Sequence, residues 1–347
     1  MPFKDVSELH LAAAKVGAPE MFERVLEAAV WSAKQAPANS TISTTPKENG
    51  DGGVRFRWFS EMGVPAPQKF LCDPLLPELF PFVIYGAGGS AKSLLAAKLS
   101  LIHTLPQGGN WLGYPVVGGG RALFVDFELN EDVFNRRTRQ IVRGMGYTPA
   151  EVSGLGYYEV GAQTTEDAFT EVLKLVEEYS FSLVVVDSAG LAIQGDMGTA
   201  SDVIQWYRSR ILPLIELGAT PALVDHQARS YSDEEYQSKG SFGSVYKENT
   251  VRSILQVQPR ASEEDSDLLQ VRCRHKKASF GAMVKPFDVS IEFSDNTIRF
   301  DRIDLEKSDL LNEQSLSLED RVVWCVMEQG PGTAATIAER LDMKVGS

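Results

Sequence analysis

Apolar positions along this chain follow two rhythms. Over residues 5–35 they recur at helical spacing (Leu9, Ala12, Ala13 and Val16, then Phe22, Leu26, Ala29 and Val30), which predicts helix. From about Val54 onward, short apolar runs alternate with longer mixed segments. Phe82-Val83-Ile84-Tyr85 predicts a buried strand, followed by a glycine-rich turn and the helical stretch SLLAAKLSLIHTL. Arg121–Asp126 (RALFVD) predicts a second strand with a polar helix after it through Arg139. Ser182–Asp187 (SLVVVD) predicts a third strand, residues 201–217 a helix, and Pro221–Asp225 (PALVD) a fourth strand. Strands apolar on both faces and separated by helices predict a mostly parallel sheet covered on both sides.

After residue 240 the helices stop. Val251–Val257, Leu268–Arg274, Val289–Phe293 and Thr297–Phe300 predict antiparallel hairpins added to the sheet edge. Two stretches break the rhythm. Residues 36–53 are rich in Pro, Ser, Thr, Asn and Gly, and residues 301–316 are polar and acidic, so both read as linkers. Residues 317–329 and 333–341 then predict two amphipathic helices joined by Gly-Pro-Gly, the beginning of a winged-helix or helix-turn-helix unit. The chain thus reads as an N-terminal helical segment with its linker (1–53), an α/β domain (54–300) and a C-terminal segment (301–347). Either DNA reading or a docking and structural role suits that last segment.

Composition narrows the setting. With 43% hydrophobic and 23% charged residues over 347 positions, the chain is ordinary globular protein and not wholesale disorder. No apolar run approaches the roughly 20 residues that span a bilayer, and charges interrupt the N-terminal MPFKDVSELHLAAAKVG, unlike a secretory signal. Cys72, Cys273 and Cys325 are odd in number and far apart, matching neither a disulfide framework nor a zinc site. A cytoplasmic protein without membrane attachment is expected. The 47 acidic against 34 basic residues give a net charge of -13. Attraction to nucleic acid would therefore have to come from a local patch and not from the whole molecule.

The strongest chemical signal is Tyr85-Gly86-Ala87-Gly88-Gly89-Ser90-Ala91-Lys92-Ser93, set between a buried strand and a helix. That is the setting of a phosphate loop. Its glycines allow backbone N–H groups to turn toward phosphate oxygens, and the following helix N-terminus adds positive potential. Residues 86–93 are the expected ATP-binding loop, with Lys92 reaching the β- and γ-phosphates and the Ser93 hydroxyl holding Mg²⁺. One position departs from the GxxxxGK[ST] pattern: Ala91 stands where the second glycine belongs. This favours, as one alternative, a module that holds nucleotide with little turnover. Asp187, at the end of an apolar strand, is placed to hold Mg²⁺ through water. Glu128, just past the second strand, is placed to orient and deprotonate a water in line with the γ-phosphate, with Asp126 as a supporting group.

YGAGGSAKS, FVDFE and SLVVVDS, in this order and spacing, resemble the RecA-type core of P-loop ATPases. Within it the chain is most similar to the plasmid-type RepA hexameric helicase family and its phage relatives, over roughly residues 55–300. The stretches beginning WFSEMGVPAPQKFLCDP, DSAGLAIQGDMGTASD and ALVDHQARSYSDEEYQ, and the basic RCRHKKASFG, share in the likeness. The resemblance implies an Mg-dependent ATPase that assembles as a homo-oligomeric, six-membered ring, acts on single-stranded DNA and works in replication, with a replication partner protein possible. It implies that His226 senses the γ-phosphate and that Lys277 enters the neighbouring subunit's site, with Arg274 and Lys276 as competing candidates for that trans cation. It also places Gln194–Ser201 and Ala228–Lys239 at a central channel. There Arg229, Lys239 and Lys247 would meet phosphates, although Asp233, Glu234 and Glu235 share the stretch. An ATP-driven regulator, helicase loader or recombinase-like filament protein is the alternative to the helicase.

Overall fold

The computed structural model describes residues 58–128, 130–193, 200–226, 249–260, 267–305, 322, 325–326 and 329–341. The helix expected over 5–35, the linker over 36–53 and both expected channel loops, apart from their flanking residues, lie outside these. The chain divides into two units, Met1–Pro65 and Ala66–Ser347. The described part of the first holds a 3-10 turn, Phe59–Glu61.

The second unit opens with strands β1 (Phe70–Cys72) and β2 (Leu76–Pro77), then β3 (Phe82–Gly86) and helix α1 (Lys92–Thr104). Next come β4 (Gly109–Trp111), β5 (Tyr114–Val116), β6 (Ala122–Asp126), α2 (Glu131–Gly144), β7 (Leu155–Glu159) and α3 (Thr165–Tyr179). β8 (Leu183–Asp187) leads through a helical turn, Ala189–Ala192, to α4, which spans 200–216 with a π-helical stretch at Tyr207–Ile211. β9 (Thr220–His226), β10 (Ser253–Pro259), β11 (Leu268–Ala278), β12 (Phe287–Phe293), β13 (Ile298–Asp304) and α5 (Ala334–Arg340) complete it. Among the described residues no helix is long and apolar enough to cross a membrane.

Nine strands form one sheet in the order β13-β12-β11-β10-β3-β9-β8-β6-β7. From β10 to β7 all pairings are parallel, and β10 through β13 pair antiparallel. This is the mixed α/β architecture expected, with the hairpins growing from β10. The central parallel strands β3, β6 and β8 are buried throughout because their alternate residues feed two separate cores. Phe82, Ile84, Phe124 and Val185 pack with Leu95 and Leu99 of α1 on one face. Val83, Tyr85, Leu123 and Val184 pack with Phe169 and Val172 of α3 and Leu214 of α4 on the other. Each such fully buried side chain contributes about 1.5–3 kcal/mol.

Three features depart from the sequence expectation. A separate four-stranded sheet, β2-β1-β5-β4, is made of strands of only two or three residues, too short to show periodicity. The edge strand β7 and the helix α3 follow β6 and α2 without a marked apolar run. And β13 continues to Asp304, four residues into the acidic stretch read as linker, because its exposed face is free to carry charge. Of the C-terminal pair, α5 is present, with the Thr333 hydroxyl accepting from the Thr336 N–H.

Candidate nucleotide-binding site

β3 ends at Gly86 and α1 begins at Lys92, so residues 87–91 turn at the carboxyl edge of the parallel strands, where such sheets bind ligands. The loop is cross-tied. Ser90 Oγ donates to the Ala87 carbonyl at 2.8 Å, and Lys92 Nζ donates to the same carbonyl at 2.7 Å. Gly88 and Gly89 have nothing within 4 Å of a would-be Cβ, and Gly89 has φ +76°, so backbone there faces open space. Gly86 serves a different purpose. A Cβ on it would stand 1.9 Å from the Val257 carbonyl, so this glycine permits the close approach of β10. Ala91 is left-handed, with φ 61° and ψ 18°. The missing glycine therefore falls where glycine is conformationally preferred, and alanine costs about 1–2 kcal/mol there.

Strand register brings the rest of the site together. Gly86 pairs with His226, and Asp126 pairs with Asp187, so these strands end near one level. Just past β6, the Glu128 N–H donates to Asp126 Oδ1 at 2.8 Å, and the Phe127 N–H donates to the Asp187 carbonyl at 2.6 Å. Glu128 Oε1 lies 2.8 Å from His226 Nε2. Lys92, Ser93, Glu128, Asp187 and His226 all line one cavity of about 330 Å³, along with Gly89, Ser90 and Ala91.

The charges in this cavity are unbalanced. Burial pushes the Asp187 carboxyl up to about 7, helped by the charges of Glu128 and Asp126 and opposed by a hydrogen bond from Ser93 and by Lys92. Burial also lowers the Lys92 amine, against the pull of Asp187, Glu128 and Asp225. For Glu128 burial works upward, but Ser188, His226 and Lys92 outweigh it and hold the carboxyl below its usual range. The Ser188 hydroxyl is buried and has no partner at hydrogen-bonding geometry among the described residues, so its influence on Glu128 is one of proximity. A buried carboxylate beside a hydroxyl, facing an open glycine-lined loop, is a donor set that suits Mg²⁺ shared with phosphate oxygens.

The family described as AAA domain matches residues 47–230. The chain belongs to this family. The match takes in the loop, Glu128, Asp187 and His226, and it makes this a P-loop NTPase-like, ATP-binding domain. No curated protein matches the chain.

Not every expected residue reaches the AAA domain's cleft. Arg274 is buried in β11 and donates to the Gln258 side chain across the β10–β11 pair. Arg272 is buried too, in a two-pronged pair with Asp288. These two arginines fill a face of the hairpin, so the compact basic group read from RCRHKK is divided, with Arg274 lying inside the sheet. Lys276 and Lys277 stay partly exposed. Lys277 pairs with Ile254, which lies opposite Val83, three residues before Gly86 and so about 10 Å down the strand from the loop.

Three residues without a sequence signal also line the cleft: Arg137, Leu269 and Phe293. Arg137 lies one turn before Gln140 on α2, and Gln140 Nε2 donates to the Ser294 and Asp295 carbonyls at 3.3 and 3.1 Å. That tie fastens α2 to the β12–β13 turn and so sets Arg137 near Phe293. Only the sheet's topology joins them. The nearest sequence signal is the helical i, i+3 spacing of Arg137 and Gln140.

Proposed function

We propose that this AAA-domain protein is an Mg-dependent ATPase acting as a ring-forming DNA motor, a replicative helicase of the RepA type. The observation that carries the hydrolysis reading is the Glu128–His226 contact of 2.8 Å beside Lys92 in one cleft. Glu128, kept ionised, takes a proton from water as the water oxygen bonds to the γ-phosphorus and the bond to the β-bridging oxygen breaks, giving ADP and phosphate. His226 links that carboxylate to the end of β9, from which the expected channel loop departs. Lys92 and the loop N–H groups offset charge on the phosphates. Mg²⁺, held by Ser93 and Asp187, would neutralise the β- and γ-oxygens. Arg137, Leu269 and Phe293, which line the same cavity, would offer the nucleotide's base a surface to lie against.

The ring reading rests on the resemblance and on the place of Lys277. It sits too far down its own sheet to serve its own loop, so a role in hydrolysis requires a neighbour. A second reading, an ATP-driven loader or regulator that does not separate strands, is favoured by the net charge of -13. Mass measurement with and without ATP-Mg²⁺ and single-stranded DNA, beside ATPase and strand-separation assays, tests the proposal. A six-fold assembly with DNA-stimulated turnover and unwinding is expected. Turnover without unwinding supports the second reading, and no turnover overturns both. Lys277→Ala should lower turnover of the assembly while leaving nucleotide binding by a single chain intact.

A further inference from the structure

Helix α1 carries a second, half-buried lysine. Lys98 leaves the helix six residues after Lys92, about 9 Å further along its axis. Its Nζ lies 4.6 Å from the centroid of the Phe300 ring on β13. It makes no hydrogen bond and no ion pair with any described residue. Burial lowers its amine to about 8, although the charge of Asp301 acts the other way. A ring face returns only part of the hydration a cation gives up, and cations held away from water are normally paired. Lys98 is half-buried, and Asp301, whose charge acts on it, makes no ion pair with it.

Lys98 faces a cavity of about 310 Å³ between α1, α2 and β13. Ile102, Met145 and Phe300 supply apolar walls, and Arg299 and Asp301 stand on the outer strand. The volume is at the lower end of small-molecule sites. None of its lining is shared with the nucleotide cleft. The walls are fixed: a Cβ on Gly144 would stand 2.0 Å from the Ile298 carbonyl, so the end of α2 is pressed against β13. The cavity therefore exists without a ligand to open it.

We propose that this cavity is a second binding site, for a small aromatic carboxylate whose acid group pairs with Lys98 and whose ring lies against Phe300 and Met145. Nothing in this assignment depends on what the nucleotide cleft does. Calorimetric titration of the full chain with 2-naphthoate tests it. One site per chain is expected, with a Kd below about 1 mM. Binding should weaken roughly tenfold for the uncharged 2-naphthamide, and equally for 2-naphthoate on Lys98→Met, which keeps the stem and removes the charge. Saturating ADP-Mg²⁺ should not displace it. Absence of binding, equal affinity for the amide, indifference to Lys98→Met, or displacement by ADP-Mg²⁺ would each overturn the proposal.

A second measurement needs no variant. Trinitrobenzenesulfonate arylates unprotonated lysines: the Nζ–C bond forms, the C–S bond breaks, and sulfite and a proton leave. Peptide mapping should show 2-naphthoate slowing the reaction at Lys98 about tenfold while leaving the exposed Lys174 unchanged. Equal labelling with and without 2-naphthoate contradicts the site.

Discussion

The two halves of the nine-stranded sheet treat buried charge in opposite ways. In the antiparallel half, Arg272, Arg274, His275 and Asp288 are all buried, and each meets a partner chosen by strand register. Arg272 stands directly across from Asp288, Arg274 reaches Gln258 on the diagonal, and His275 Nε2 lies 2.8 Å from Ser253 Oγ. In the parallel half, Lys92 and Asp187 are equally buried, but Lys92 is tied by its ammonium to its own loop and Asp187 is driven toward neutrality. Charge satisfied within the fold serves the fold. Charge left unbalanced at the open edge of a sheet is poised for a ligand.

The largest effects should follow from deleting that imbalance. Lys92→Ala is expected to abolish nucleotide binding together with turnover. Glu128→Gln should keep ATP binding, measured by fluorescence with a labelled nucleotide, while turnover falls about 10²–10⁴-fold, the usual worth of a positioned base. If Glu128→Gln hydrolyses ATP normally, Glu128 is not the base, and the contrast between the halves loses its chemical meaning.

Next in size is the buried pair. Arg272→Met leaves Asp288 in the interior with, among the described residues, Arg260 Nε 3.9 Å away, and should cost about 3–5 kcal/mol in urea unfolding. Replacing both partners, Arg272→Met with Asp288→Leu, should recover most of that loss. Nucleotide affinity of the folded fraction should not change. A folded Arg272→Met protein that no longer turns over ATP would break the division, because the antiparallel half would then belong to the site.

This division also explains what the sequence could and could not disclose. The parallel strands were legible because both of their faces are apolar, as in SLVVVD, and because the loop, Glu128 and Asp187 follow strand ends directly. RCRHKK misled because a run of basic residues normally marks a solvated face. The compensating groups, Gln258 and Asp288, lie 16 residues away from Arg274 and Arg272 in either direction and become partners only through pairing register. Arg137 and Phe293 meet in the cleft for the same non-local reason. Strands of two or three residues, such as β2 and β4, carry too few alternations to register as a pattern.

Asp187 gives the contrast a pH dependence. Its folded pKa of about 7 lies above the ordinary 3.8, so the folded chain holds a proton that the unfolded chain gives up. The nucleotide-free protein should therefore lose stability from this group as pH rises from about 4 to 7, and lose no more above that. Asp187→Asn is neutral throughout. It should match the parent near pH 4 and exceed it by about 4 kcal/mol at pH 8 in parallel urea titrations. A constant difference across that range would mean that Asp187 is already paired, like Asp288.

The smallest effect concerns Ala91, where the open edge itself departs from its best local geometry. Glycine would relieve about 1–2 kcal/mol of left-handed strain. It would return about 0.4–1 kcal/mol by loosening the unfolded chain. It would also give up part of a methyl group that packs against the α1 core, where full burial is worth about 0.8 kcal/mol. These terms leave a net gain of about 0.5 kcal/mol, so Ala91→Gly should raise the melting temperature by about 1–2 °C. The same shift should appear with and without ATP-Mg²⁺ if the strain is unrelated to binding. A larger shift in the presence of nucleotide would mean that the alanine holds the loop away from its binding conformation, and that relieving it improves affinity.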